Sequence, residues 1–476
     1  MRTLASNIAS LGAVTLLAGC AAVGPDFVRP KAILSPQYKE IAGWKIAEPR
    51  ASESKGAWWT AFHDPTLAGL EEAVAISNQT VKADEANYRQ ALALIDEARA
   101  GLFPTVSGTG SATRNSSAGT NFTSEASGQW MLDIWGQVRR EIESQQAGAE
   151  TVAANLANAK LAEQSSLAIA YFTMRQADSL ETLLRRTVDD YKRSLQITQN
   201  QYDAGTAAKS DVITAQAQVL NAQSQLIAAG VSRAQSEHAI AVLMGRPPAG
   251  LAVSHGELAS SIPSIPVRIP SDLLERRPDV AAAEETMRQA NAAIGVAFAG
   301  YFPQISLSGL FGYSGDPFVA GLAKNPVWSF GSSLAQPLFN GGLTGAQVEA
   351  ARETYNADVA TYRQTVLTAI QQVEDNLAAI RIYSREAKVQ AEDVRISRQA
   401  TQIALNEYRA GTQAFTTVVT NEAQQLSAEE NELATRAQRQ FAAVNLIVAL
   451  GGGWSEAKLP DAGAESKTQG SAPSSN

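Results

Sequence analysis

Apolar residues along this chain follow two periods, and the switches between them divide it into elements. From Gln137 to Tyr202 the chain runs 66 residues without a proline and with Gly148 as its only glycine, dense in Ala, Gln, Leu and Glu. So long a stretch with so little punctuation predicts one continuous helix. Toward its end Leu180, Leu184, Thr187, Tyr191, Leu195, Thr198 and Tyr202 recur at steps of three and four. That is the narrow seam of a coiled coil, not the broad stripe of a helix lying on a globular core. At 1.5 Å per residue the rod would be about 100 Å long. Tyr202-Asp203-Ala204-Gly205-Thr206 ends it, with Gly205 suited to the position just past a helix C-terminus. A return helix follows from about Ala208 to Leu243, with Val212, Ala215, Val219, Ala222, Leu226 and Ala229 on its seam. The pattern predicts a long helical hairpin over 137–243 with a glycine tip.

Before the hairpin the period drops to two. Residues 105–115 and 121–134 read as strands, joined by the Ser- and Gly-rich turn Ser116 to Gly119. In the second strand Phe122, Ala126, Gly128, Trp130, Leu132 and Ile134 share one face, and Thr123, Glu125, Ser127, Gln129 and Asp133 share the other. Upstream, a helical pattern begins at Asp64-Pro65, a cap and first turn, and runs to Gly101. Residues 20–64, rich in Pro, Trp and polar side chains, have no period and predict an extended segment laid on another surface.

The whole arrangement then repeats. Arg89-Gln90-Ala91 and Gly101-Leu102-Phe103-Pro104 return 199 residues later as Arg288-Gln289-Ala290 and Gly300-Tyr301-Phe302-Pro303. Strands are predicted over 304–314 and 327–339, and a second helical hairpin over 343–450. The long arm of that hairpin carries the seam Tyr355, Val359, Tyr362, Val366, Ala369, Val373, Leu377 and Ile380. Its tip, Tyr408-Arg409-Ala410-Gly411-Thr412, lies 206 residues beyond the first. The predicted organisation is repeat 1 over 65–245, a Pro-rich linker over 246–269, repeat 2 over 270–454, and a small, polar tail over 455–476 whose composition favours disorder.

About ten residues is the length of a tilted membrane-spanning strand, and one-sided alternation is the pattern of an outer-membrane barrel. Four strands cannot close one, because the smallest known barrels use eight. An open edge in lipid would leave backbone groups unsatisfied. Several chains would therefore share a barrel, and three copies would give about twelve strands together with the helices of a coiled-coil tube. The outward face would include Trp130, Leu132, Phe311, Phe330 and Leu334, with Glu125 and Gln129 facing the lumen. The competing reading is a small soluble sandwich. The fold class predicted is mainly α with a membrane β-barrel portion, built from two tandem repeats of helix, two strands and a long coiled-coil helical hairpin.

Composition narrows the function. With 39 basic and 47 acidic residues, the net charge of −8 argues against nucleic acid as a partner. Cys20 is the only cysteine, which excludes a disulfide framework and a thiolate metal cluster, and His63, His238 and His255 have no ligand spacing. No phosphate loop, His-Glu-x-x-His helix or nucleophile elbow is present, so the chain reads as a non-enzyme that needs neither cofactor nor metal. Asp189-Asp190 and Glu429-Glu430 read as solvated helix faces. Residues 1–19 read as a signal peptide: Arg2, an apolar run from Leu11 to Leu17, then Leu17-Ala18-Gly19-Cys20. That ending resembles the bacterial lipobox, whose cysteine is acylated; the alternative is a plain signal peptide with a chance cysteine.

The element order and five local motifs together resemble the outer-membrane efflux factor family, and its lipoprotein branch in particular. The motifs are Val23-Gly24-Pro25-Asp26-Phe27; Trp58-Trp59 through Phe62-His63-Asp64-Pro65; Asp272-Leu273-Leu274-Glu275-Arg276-Arg277-Pro278-Asp279-Val280; Pro337-Leu338-Phe339-Asn340-Gly341-Gly342; and Val373-Glu374-Asp375-Asn376. The resemblance covers roughly residues 20–455 and implies a homotrimeric channel-tunnel. Such a channel is the passive exit duct of a tripartite system, served by a periplasmic adaptor protein and an inner-membrane pump, exporting drugs or other small toxic compounds. It implies lipidation at Cys20 and contact with outer-membrane lipid; Ala21, which is not Asp, favours outer-membrane sorting. It also implies that the hairpin tips at Gly205 and Gly411 converge to close the periplasmic mouth. Asp211 would accept a hydrogen bond from Tyr408 there, the alternative being an ordinary helix-start carboxylate. Where relatives often carry acidic residues lining the constriction, this chain has Thr416, Thr417, Val418, Val419 and Thr420, so Thr417 and Thr420 would leave the mouth uncharged. Two other functions share much of this pattern: a channel secreting a protein or other product, and a periplasmic coiled-coil scaffold with no pore.

Overall fold

The computed structural model describes residues 22–32, 35–41, 57–115, 119–265, 276–315 and 326–454. The acylation candidate Cys20, the two strand-connecting loops and the C-terminal tail lie outside the described residues. Repeat 1 contains α1 (Pro65–Ser77), α2 (Gln79–Ala100), β1 (Thr105–Asn115), β2 (Gly119–Leu132), α3 (Gln137–Asp203) and α4 (Lys209–Leu243). Repeat 2 contains α5 (Pro278–Ala299), β3 (Gln304–Gly315), β4 (Pro326–Ala335), α6 (Leu343–Arg409) and α7 (Phe415–Ala449).

The two long helices, α3 and α6, have 67 residues each. Neither stands alone along its length. Its return helix covers the tip half, and a 22-residue helix, α2 or α5, covers the sheet half. The short helix and the return helix meet end to end, by the same device in both repeats. In repeat 1 the buried Asn78 caps α2 by accepting from Val81 N (3.1 Å) and donates to Leu243 O (2.8 Å), at the end of α4. In repeat 2 Arg277 Nη1 donates to Ala449 O at 3.1 Å. Gly245 (φ +67°) and Gly451 (φ +93°) turn the chain at these junctions. A Cβ there would lie 2.1 Å from Ser77 O and 2.0 Å from Arg276 O, so only glycine fits.

Packing in the sheet half runs α2, α3, α5, α6; in the tip half it runs α4, α3, α7, α6. The helices thus form a single-layer wall with two outer flanks. One core cluster, built from Leu67, Leu167, Tyr171, Met174 and Ile240, holds the middle of repeat 1. A second, with Val280, Met287, Tyr362, Val366, Val373 and Leu377, joins α5 to the predicted seam of α6.

The strands form one antiparallel sheet in the order β1-β2-β3-β4. Two predicted strand limits are corrected. The fourth strand ends at Ala335, not 339. Pro337 has no N–H for a ladder, and Gln336 Nε2 instead donates to Tyr301 O (3.1 Å), leaving Leu338 and Phe339 almost fully exposed. The second strand runs 119–132 rather than 121–134. Asp133 leaves the ladder to cap α3, accepting from Val138 N (2.9 Å) and Arg139 N (3.1 Å).

The described part of the Pro-rich linker is not laid loosely on the surface. Val253, Leu258 and Ile265 are buried, and Asp178 on α3 accepts from Arg233 (2.8 Å), Arg175 (3.1 Å) and Gly256 N (3.1 Å) to clamp it down.

Candidate functional site

The strand register separates the side chains into two unlike faces. Direct cross-strand partners share a face, so Ala112 and Phe122 lie with Gly315; Ala126, Phe311 and Trp328 form one row; and Trp130 lies with Leu307. Leu132, Ile305 and Leu334 complete this apolar face. Trp130, Leu132, Phe311, Phe330 and Leu334, predicted to face outward together, are all on it. Trp328 and Phe330 are 74% and 75% exposed, an unusual amount of bare aromatic surface on a strand. The other face is polar and rich in small hydroxyls, with Leu310, Met131 and Val327 as its larger apolar members, and is tied across strands by Ser107–Ser127 (3.0 Å), Thr123–Ser314 (3.4 Å) and Ser306–Ser333 (2.8 Å). Glu125 and Gln129 are on this polar face. No helix among the described residues is long and apolar enough to cross a membrane. The sheet's apolar face is the surface suited to lipid.

Both ends of the sheet, β1 and β4, have an unpaired edge among the described residues. The helical wall is open in the same way, and its two flanks carry apolar residues every seven positions. On α4 these are Ile213, Leu220 and Ile227; on α6 they are Ile382, Val389, Ile396 and Ile403, all between 47% and 78% exposed. Each is a coiled-coil seam without a partner helix.

At the far end the two tips lie together. Gly205 (φ +79°) and Gly411 (φ +76°) turn the two hairpins in matching conformations. Gln201 Nε2, in the last turn of α3, donates to Tyr408 O at 3.1 Å, so one hairpin end is bonded to the other. The predicted hydrogen bond from Tyr408 to Asp211 is not formed within the chain. Tyr408 is 5% exposed, and its ring is turned into a cluster with Phe415 (5.1 Å between centroids), Ala215, Ala404 and Val418. Its buried hydroxyl makes no well-formed hydrogen bond and approaches only the Thr198 side chain of α3. Burial pushes the phenol above its ordinary value; the neighbouring Thr198 opposes this and the Asp211 charge adds to it. Asp211, half-buried in the first turn of α4, therefore acts on Tyr408 through space only. Thr420 is exposed and its hydroxyl donates back to Thr416 O (2.9 Å), while Thr417 is half-buried.

Three turns above the tips, Glu422 of α7 is 6% exposed and packs against α3. Ser194 Oγ donates to its Oε1, and its Oε2 has no partner. Burial pushes this carboxyl up to about 7, opposed by the Ser194 bond and reinforced by Asp190. It borders a cavity of about 350 Å³ lined by Tyr191, Arg398, Leu405 and Arg409 among others. Sequence alone missed Glu422, because a carboxylate on a polar helix carries no sign of burial. The flank seams were detectable as a second period, of seven, beside the one already read.

Residues 71–246 and 269–452, essentially the two repeats, match the outer membrane efflux protein family. The toluene efflux pump outer membrane protein TtgC of Pseudomonas putida is 30% identical over 469 residues, covering 93% of this chain and 94% of that protein. Nodulation protein T of Rhizobium leguminosarum bv. trifolii is 29% identical over 454 residues, covering 92% and 95%. Among solved structures, the outer-membrane channel OprN superposes with a TM-score of 0.84 at 29% identity, covering 91% of this chain and all of that one. With both repeats matched and nearly the full length shared, the chain belongs to the outer membrane efflux protein family.

Proposed function

We propose that three copies of this chain assemble into an outer-membrane exit duct, a passive conduit for drugs or other small toxic compounds in a tripartite efflux system. The observation that carries this reading is the open sheet with one apolar face, one hydroxyl face and two unpaired edges. In lipid such edges would cost several kcal/mol per unsatisfied group, so they must meet edges of other copies. Two copies would give eight strands, whose interior is filled by side chains. Three give twelve and leave a lumen lined by Ser and Thr. The same operation brings the α4 seam of one copy against the α6 seam of the next and closes the wall into a tube.

The N-terminal segment supports the topology. Val23 N donates to Trp135 O (2.9 Å), and Arg140 donates to Val23 O (3.1 Å) and Asp26 (2.8 Å). Val23 is thereby held close to the inner end of β2, near the stacked Trp135 and Phe302 (4.8 Å) and on the side of the exposed Phe103 and Phe339. An acyl chain on Cys20 would enter the same leaflet as these interfacial aromatics.

The tips would form the periplasmic mouth, held shut by the Tyr408–Phe415–Val418 cluster and the Gln201–Tyr408 bond, with Asp211 beside them and Thr417 and Thr420 uncharged. A periplasmic adaptor and an inner-membrane pump would open it and supply the energy. The experiment is accumulation of a fluorescent efflux substrate in cells lacking the gene. The wild-type chain should restore low accumulation. Leu220→Lys with Val389→Lys, which places charge on both flanks, should run as a monomer and fail to restore it. Full restoration by a monomeric form would overturn the proposal.

A further inference from the structure

Only two charged side chains occur in the four strands among the described residues, Arg114 and Glu125, and the register puts them on opposite faces. Glu125 is alone on the hydroxyl face. It sits halfway along β2, beside Thr109 of β1, whose hydroxyl donates to Glu125 Oε1 at 3.3 Å, and opposite Gly312 of β3. Gly312 is buried, and a Cβ there would lie 2.6 Å from Glu125 Cβ. The neighbouring strand thus makes room for this side chain where a larger residue would displace it. At the other end of the molecule, the start of α7 carries the uncharged Thr416, Thr417 and Thr420.

We propose that Glu125 is the charge-selecting residue of the barrel: three copies form one carboxylate belt at mid-height that enriches cationic solutes and depletes anionic ones. The inference rests on the three-copy pore proposed above. Twelve strands about 4.8 Å apart and tilted by about 40° give a wall radius of roughly 12 Å, so the carboxylates lie on the order of 10 Å from the axis. Three unit charges at that distance in water, screened over about 30 Å at 10 mM salt, favour a monovalent cation over an anion on the axis by about 20-fold. At 0.15 M, with screening over about 8 Å, the preference falls to about 3-fold, and at 1 M it is nearly gone. The belt therefore biases solutes by charge without holding them, as an exit duct requires.

The test reads the local potential directly, so it does not depend on whether the mouth is open. Ser127 shares the lumen face two residues from Glu125, and Cys20 is the only natural cysteine. Ser127→Cys is introduced, and cationic, anionic and neutral methanethiosulfonate reagents are applied from the outer side, each rate being normalised to its reaction with free thiol. At Ser127, about 7 Å from one carboxylate and about 17 Å from the other two, the cationic-to-anionic rate ratio should fall about 10-fold at 10 mM salt when Glu125→Gln is added and about 3-fold at 0.15 M, and Glu125→Lys should invert it. An unchanged ratio at 10 mM in both variants would overturn the role of Glu125. A different result would defeat the pore itself: the neutral reagent modifying Ala126→Cys on the apolar face readily and Ser127→Cys not at all.

Discussion

Glutamine in place of Glu422 should remove part of the pH dependence of this protein's stability. The carboxyl is 6% exposed, bonded on one oxygen to Ser194 and bare on the other, and burial pushes it up from 4.5 to about 7. The packed state therefore binds its proton more tightly than a state in which α3 and α7 separate. The resulting stability is fully present below about pH 4.5 and is lost as pH rises through 7. A displacement of this size corresponds to about 3 kcal/mol per chain. The Asp190 charge adds to the effect, and the cations on the cavity wall include Arg398, which is paired with Glu429. Glutamine keeps the shape and the Ser194 contact but cannot ionise. Thermal unfolding of the detergent-solubilised oligomer at pH 5 and pH 8 reads the effect. Wild type should lose stability toward pH 8, with a steeper slope than Glu422→Gln. Glu285 and Glu71, pushed up to about 8 and about 9 by burial, titrate in both proteins, so the difference between the two slopes is the readout. Parallel slopes would refute the reasoning and mean that Glu422 is ionised in the packed state.

Other outcomes follow from the same geometry. Leu132→Arg, on the apolar strand face, should cost about 2–4 kcal/mol and lower the yield of assembled oligomer, whereas Gln129→Arg on the hydroxyl face should assemble normally; equal yields would contradict the face assignment. Tyr408→Ala should open the tip, raising single-channel conductance, because emptying the Phe415–Val418 cluster costs about 3–5 kcal/mol. Tyr408→Phe and Asp211→Ala should leave the mouth shut, since the phenol makes no bond to Asp211 within the chain and no well-formed one to Thr198; conductance that rises in either would show a bond made only between copies. Mass spectrometry of the mature protein should find acyl chains on Cys20, and an unmodified thiol would remove the anchor while leaving the barrel surface intact.

What the sequence revealed and what it hid divide by the range of the forces involved. The 67-residue helices, the strand alternation and the repeat of Gly-Leu-Phe-Pro as Gly-Tyr-Phe-Pro are local periodicities, so they are visible in one dimension. The end of β4 was also local: Pro337 could have placed it, but the alternation of Leu334 and Leu338 across the proline extended the pattern too far. The tip was harder. Asp211 acts on Tyr408 through its charge, yet the direction of the tyrosine ring depends on Phe415, Val418 and Ala215 acting together. Asn78 was invisible for a similar reason, because its partner carbonyl on Leu243 is 165 residues away. Glu422 shows the limit most clearly: it is buried against Ser194, on a helix more than 200 residues earlier.

The most direct measurement is to purify the full-length protein from outer membranes in mild detergent, determine its mass in solution, and reconstitute it into a planar bilayer. The proposed three-copy duct predicts a particle of three chains that conducts in discrete steps, and the same particle carrying Leu220→Lys and Val389→Lys should dissociate and not conduct. A stable monomer or dimer that conducts, or a trimer that never does, would contradict a barrel shared by three chains.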